Sequence, residues 1–283
     1  MATTSALSFS IKNAVSQALA EDIGDGDITA RLIDKQQQIT AKIISREMAV
    51  ICGVEWVNEV FKQLDGQIIL DWDVADGDRV GVNQTLVTLT GNARHLLTGE
   101  RTALNFLQTL SATATNAYHF AQLVKDSPLN ILDTRKTLPG MRLAQKYAVK
   151  CGGCNNHRMG LYDAYLIKEN HIAACGGITQ SINAAKQHAP HLPVEIEVEN
   201  QQQFLEALEQ GADIIMLDNF DNDAILNAVL TRDNKVPDCK LEVSGNIDEQ
   251  TIEALKHSGV DYVSVGALTK HCKAVDLSMQ FFH

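Results

Sequence analysis

The stretch LPVEIEVENQQQFLEALEQGADIIMLDN (Leu192–Asn219) decides the fold. Pro193–Glu199 is a β-branched run, Gln202–Gln210 carries helical periodicity, and Asp213–Asp218 is apolar and β-branched again. Strand, helix and strand in such close succession read as parallel strands joined by a crossover helix. The alternation continues in both directions. Upstream stand the strands Asn130–Arg135 and Ala164–Lys168 and the helix Thr179–His188. Downstream stand the strands Lys240–Ser244 and Asp261–Gly266 and the helix Asp248–His257. Strands this apolar, each buried on both faces, suit a closed or nearly closed barrel better than an open sheet. The expected form is an incomplete β/α (TIM-like) barrel.

The N-terminal part has another character. Residues 8–20 read as a helix, Asp22–Asp27 as an acidic turn, and Ile39–Cys52 as strand. A helical stretch follows from Val54 to Leu64, then short strands through Leu89. Ala75–Gly91 (ADGDRVGVNQTLVTLTG) is similar to the small β-sandwich of biotinyl and lipoyl carrier domains. Those carriers present a lysine on an exposed hairpin; no such turn occurs here, so the segment is read as structural. From Thr98 to Leu123 apolar residues recur at three and four, which predicts one long amphipathic helix connecting two domains. The fold class is therefore α/β. An N-terminal α/β sandwich domain spans 1–115, the barrel spans 116–270, and the tail 271–283 packs back on the first domain.

Charge narrows the function. The 283 residues carry a net charge of −11, which argues against nucleic acid as a partner. Between Arg135 and His171, however, seven Lys or Arg stand against two acids, so that this window is +5 in an acidic chain. A local cationic island suits a small polyanion. Arg142, Lys146 and Lys150 of that window, spaced by four, are read instead as a solvated helix face. No apolar run approaches the ~18 residues of a membrane span, and MATTSALSFS lacks the basic flank of a leader. The expectation is a cytoplasmic protein without a membrane partner. Six cysteines in a chain of this length are expected to be reduced.

Most of the barrel strands end in residues that are expensive to bury: Arg135–Lys136, Lys168–Glu169, Glu197–Glu199 and Asp218–Asn219. The C-terminal rim of such strands is where barrel active sites lie. The last two strands end in Ser244–Asn246 and Val265–Ala267, small residues that let backbone N–H groups approach a phosphate. The inferred ligand is an anion with a phosphate, and it brings a divalent metal to Glu197 and Asp218.

At this point the motifs resemble a family. LTGERTALNFLQ (Leu97–Gln108), DTRKTLPGMR (Asp133–Arg142), NNHRMGLYDAYLIKENH (Asn155–His171), EIEVEN (Glu195–Asn200), LDNF (Leu217–Phe220), LEVSGNI (Leu241–Ile247) and VGALT (Val265–Thr269) look like the signature strings of quinolinate phosphoribosyltransferases, in order and spacing. The resemblance spans roughly residues 8–280. It implies that quinolinate and phosphoribosyl pyrophosphate, with Mg²⁺, give nicotinate mononucleotide, pyrophosphate and CO₂. It also implies a homodimer with shared active sites, in which Arg101 reaches toward the partner's quinolinate. By the same resemblance Arg135, Lys136, His157, Arg158 and Lys168 line the dicarboxylate pocket, and Thr134 is a further substrate-binding residue. Glu197 and Asp218 face the ribose and metal, and Ser244, Gly245, Asn246, Val265, Gly266 and Ala267 hold the 5′-phosphate. Lys136, Lys168, Glu197 and Asp218 are the expected catalytic groups.

Two positions depart from the pattern. Cys154 stands where a third glycine after Cys151-Gly-Gly is expected, giving a CxxC without the second ligand pair zinc requires. Val243 replaces a smaller residue before Ser244. Glu195 and Glu199 flank Glu197, and the reading of both is open between strand residues and site residues. His157 and His171 are likewise open between substrate contact and supporting hydrogen bonds. Rival readings are a related transferase acting on nicotinate, a molybdenum-operon paralogue with another substrate, and a non-catalytic carrier module, which the polar strand ends disfavour.

Overall fold

The computed structural model describes residues 4–245 and 247–282. In chain order, α1 (Thr4–Ile23) leads to β1 (Gln38–Ser45), β2 (Ala49–Val50), α2 (Val54–Leu64), β3 (Ile69–Trp72), β4 (Arg79–Val80) and β5 (Thr85–Asn92). Helix α3 (Ala93–Leu123) then runs into β6 (Asn130–Leu132) and α4 (Arg142–Cys151). Next come β7 (Tyr165–Ile167), α5 (Glu169–Cys175), α6 (Ile178–His188), β8 (Val194–Val198), α7 (Gln201–Glu209) and β9 (Ile214–Asp218). The chain closes with α8 (Asn222–Lys235), β10 (Lys240–Ser244), α9 (Glu249–Leu255), β11 (Tyr262–Ser264), α10 (Ala267–Lys270) and β12 (Leu277–Phe282).

The chain divides into two compact units that interleave in sequence. The first takes the residues up to His119, Leu138–Gly153, and those from Leu268 on; the second takes Phe120–Thr137 and Cys154–Ala267.

The first unit is built on an antiparallel sheet in the order β12-β1-β5-β3. Its inward residues, among them Ile43, Leu86 and Leu89, join the buried face of α2, which is Trp56, Val57, Val60 and Phe61. Helix α2 is started by a distant side chain: Asp76 Oδ1 accepts the N–H groups of Gly53 (2.8 Å) and Val54 (3.0 Å). That satisfies donors every helix start leaves open. On helix α4 Lys150 is exposed and Arg142 half-buried, as a solvated face would have them, but the same reading of Lys146 is corrected. Lys146 is fully buried, alongside Gln145 and Ala148. A spacing of four defines one face of a helix, not whether that face meets water. At the end of α4 an added Cβ on Gly152 would lie 2.3 Å from the Ala114 carbonyl oxygen, so no side chain fits there.

The second unit holds a parallel sheet in the order β6-β11-β10-β9-β8-β7. The expected strands are all present, but the sheet is open: β6 and β7 are its two edges and do not pair. The chain between them leaves the unit to form Leu138–Gly153, so nothing there carries β7 round to β6. On the way back Asn155 forms an isolated bridge to Leu132. Side-chain caps start the crossover helices. Asn200 accepts from Gln203 N, Asp221 from Ala224 N, and Asp248 from Thr251 N.

Candidate active site

The C-terminal ends of the parallel strands converge on a cavity of about 470 Å³. Thr134, Arg135 and Lys136 reach it from the segment after β6, and His157 and Arg158 from the segment that returns along β6. Lys168 follows β7, Glu197 stands on β8, Asp218 ends β9, Ser244 and Gly245 end β10, and Gly266 follows β11. The structure thus brings most of the expected residues to one place. Val265 is buried and donates its N–H to Leu132 O, and Ala267 opens α10; neither lines the cavity. Asn246 lies outside the described residues. Arg101 is exposed on α3 in the first unit.

Charge is held there under strain. Arg135 Nε is buried with no hydrogen-bond partner among the described residues. The Arg158 guanidinium has its affinity for a proton lowered, first by burial and then by the charge of Arg135. Two guanidinium groups, with Lys136 and Lys168, share one cavity wall. Such forks grip carboxylates or phosphates with two bonds each. Leu166 and Met216, which the strand-end reading did not single out, supply apolar surface for a ring, and Asn219 and Ser264 add polar groups. Asn219 takes a left-handed backbone (φ 55) and donates to Asp218 Oδ2 at 2.9 Å. Its neighbour Asp218 was legible; the turn conformation was not.

The acids are placed by their neighbours. Glu197 is paired with Lys168 Nζ, and Asp218 Oδ1 accepts from the Ser244 hydroxyl at 2.9 Å. Both carboxylates stand at the same end of adjacent strands and line the same cavity. Hard divalent cations take oxygen ligands, and Mg²⁺ is commonly held by one or two carboxylates together with substrate phosphates. The donor set fits such an ion. At Gly266 an added Cβ would lie 3.0 Å from Lys136 Cδ, so the glycine keeps this wall open for the lysine and for backbone approach.

Beneath the arginines lies a carboxylate cage. Asp133 is fully buried and accepts from His157 N (2.9 Å) and Asn156 Nδ2 (2.6 Å). Of the two histidines left open, His157 points its Nε2 at Glu195 (2.9 Å), while exposed His171 accepts from Lys168 N at the start of α5. Glu195 and Glu199 part company as well: Glu195 is buried and Glu199 is exposed. The donor atoms of Cys151, Cys52 and Asp76 lie within 4.8 Å of one another, and all six cysteines are free.

A β/α fold with cations, carboxylates and small phosphate-compatible loops at its strand ends defines an enzyme for anionic substrates. The comparisons give the family. The model "Quinolinate phosphoribosyl transferase, C-terminal domain" matches residues 113–280, and its N-terminal counterpart matches 27–111. The chain is 40% identical over 271 residues to the probable nicotinate-nucleotide pyrophosphorylase [carboxylating] of Bacillus subtilis, covering 95% of this chain and 92% of that one. It is 34% identical over 292 residues to quinolinate phosphoribosyltransferase [decarboxylating] 1 of Nicotiana glauca, covering 96% and 82%. The solved nicotinate-nucleotide pyrophosphorylase of Francisella tularensis superposes with a TM-score of 0.93 at 48% identity, covering 97% of each chain. The chain belongs to the quinolinate phosphoribosyltransferase family, and its open six-stranded sheet is that family's fold.

Proposed function

We propose that this enzyme transfers the phosphoribosyl group of phosphoribosyl pyrophosphate to quinolinate, in de novo NAD biosynthesis. The products are nicotinate mononucleotide, pyrophosphate and CO₂. The relatives named above carry that activity in their names. The observation that carries it here is the pair Arg135 and Arg158, one with a buried unpartnered Nε, in a cavity that also holds Lys136 and Lys168. A planar dicarboxylate satisfies such a set, because buried cations need fixed counter-charges.

In the reaction the bond from ribose C1′ to pyrophosphate oxygen breaks and a bond from C1′ to the pyridine nitrogen forms. The 2-carboxylate then leaves as CO₂, and the ring carbon it leaves takes a proton. Arg135, Arg158 and Thr134 hold the carboxylates and orient the ring nitrogen. Glu197 and Asp218 face the ribose, where their negative charge favours the cation-like state at C1′. Lys136 and Lys168 stabilise electron density at the carbon that loses CO₂. The loops at Ser244, Gly245 and Gly266 receive the 5′-phosphate. Glu197 and Asp218 are also the residues that would hold Mg²⁺, which supplies charge neutralisation for the pyrophosphate.

The enzyme acts as a homodimer in which Arg101 of each subunit serves the other's site; its exposure on α3 supports that placement. No described helix is long and apolar enough to cross a membrane. The free cysteines accord with a cytoplasmic enzyme. The test is formation of nicotinate mononucleotide from quinolinate and phosphoribosyl pyrophosphate; its absence with folded protein refutes the proposal.

A further inference from the structure

Alternation by two along the strands puts Glu195 on the inner face of β8 with Glu197, and Glu242 on the inner face of β10 with Ser244. Glu195 is 3% exposed and Glu242 is 0% exposed. The His157 ring sits against both, its Nε2 2.9 Å from Glu195 Oε2 and 3.5 Å from Glu242 Oε2. The other Glu195 oxygen and both Glu242 oxygens are buried and accept no well-formed hydrogen bond among the described residues, although the Ser264 hydroxyl also acts on Glu242. These groups border a second cavity of about 430 Å³ that shares His157 and Arg158 with the first.

Three donor atoms this close, from His157, Glu195 and Glu242, suggest a metal centre at first sight. The imidazole tautomer argues otherwise. His157 Nδ1 accepts the backbone N–H of Arg158 at 2.7 Å, so Nδ1 carries no proton. The ring proton is therefore on Nε2, directed at Glu195, and Nε2 has no lone pair to give a metal. A metal-bound histidine shows the reverse, donating its second ring N–H outward.

Without a metal, two buried carboxylates at this distance resist being ionised together, since like charges with little access to water repel. We infer that Glu242 is a neutral acid that donates its proton to Glu195, and that the pair are positioning residues which, through His157, fix the backbone at Arg158 under the substrate pocket. The chain of donors then closes: Glu242 O–H to Glu195, His157 Nε2–H to Glu195, and Arg158 N–H to His157 Nδ1. Burial pushes the Glu242 carboxyl up to about 8, and the Glu195 charge adds to it, against smaller opposing effects of His157 and Ser264. Among the described residues, β9 presents Met216 to Glu242 in register, and β11 presents Tyr262 in register, with Ser264 beyond it. Arg158 borders the same cavity as Glu195 and Glu242 and feels the charge of Glu195.

The kinetic part of the test rests on the quinolinate reading, and the spectroscopic part does not. Glu242→Leu removes the donor and should raise KM for quinolinate about tenfold with kcat within about threefold, the loss of one hydrogen bond to a charged group. Glu242→Gln restores a neutral donor and should recover most of that loss. The wild type should bind quinolinate more weakly as pH rises through about 8, where Glu242 loses its proton; Glu242→Gln should not. In substrate-free protein at pH 7, infrared difference spectra should show the carbonyl band of a neutral carboxylic acid that is missing in Glu242→Gln. Nitrogen-15 spectra should show His157 protonated at Nε2 alone. The inference is overturned if that band is absent, if His157 Nδ1 is protonated, if Glu242→Gln is as impaired as Glu242→Leu, or if purified wild type holds stoichiometric divalent metal that Glu242→Gln lacks. Should the protein not turn over quinolinate at all, the two spectra still decide.

Discussion

Removing the Asp133 carboxylate should damage both stability and quinolinate binding, by an amount that its contacts set. Asp133 is fully buried, and its two oxygens hold the His157 backbone N–H at 2.9 Å and the Asn156 side-chain amide at 2.6 Å. Asp133→Ala leaves both donors without that acceptor in a partly buried site, at about 1–3 kcal/mol each. The expected loss of stability is therefore about 3–5 kcal/mol. Asp133→Asn keeps one acceptor for His157 N, and the Asn156 amide can turn over to meet the new NH₂, so only the charge assistance is lost. That variant should cost about 1–2 kcal/mol. Because the same contacts seat His157 and Arg158, KM for quinolinate should rise about tenfold in Asp133→Ala and less in Asp133→Asn. Urea titrations at matched slope, paired with steady-state kinetics, measure both. A cost below about 1 kcal/mol for Asp133→Ala, or an Asn variant as damaged as the Ala variant, refutes the reasoning.

Arg101→Ala should be nearly inactive, and mixing it with Lys136→Ala should restore some activity through hybrid dimers; no recovery after confirmed subunit exchange counts against shared sites. Asp218→Asn should weaken Mg²⁺-dependent use of phosphoribosyl pyrophosphate far more than quinolinate binding, read as the two KM values, and equal losses contradict its placement. Cys154→Ala should retain activity and metal content, because Cys151 lies beside Cys52 and Asp76 rather than acting with Cys154; elemental analysis showing stoichiometric zinc lost in the variant would reverse that reading.

The barrel strands were legible because their ends are chemically abrupt. Ile214–Asp218 is an apolar run that stops at a carboxylate, Val194–Val198 alternates valine and isoleucine with Glu195 and Glu197, and the expected bounds of both differ from the observed ones by about a residue. The site was legible for the same reason, since a charged residue closing an apolar strand has few places to be except the rim. What stayed hidden depends on three-dimensional neighbours. Lys146 reads as solvated from spacing alone, yet it is fully buried. The opening between β6 and β7 follows from where residues 138–153 go, which no strand pattern records. Glu195 and Glu242 stand on strands separated by β9, and no single strand's pattern records that their carboxylates meet at His157.

The central claim is that the cation set was built for two carboxylates, one of which is released. Supplying quinolinate or nicotinate separately with phosphoribosyl pyrophosphate and Mg²⁺, and following nicotinate mononucleotide and CO₂ together, tests it most directly. Quinolinate should give the two products in equal amounts. Nicotinate should be used more slowly by on the order of 10⁴-fold, because a guanidinium is then left buried without its partner. Comparable turnover of nicotinate, or nicotinate mononucleotide from quinolinate without matching CO₂, would contradict the account.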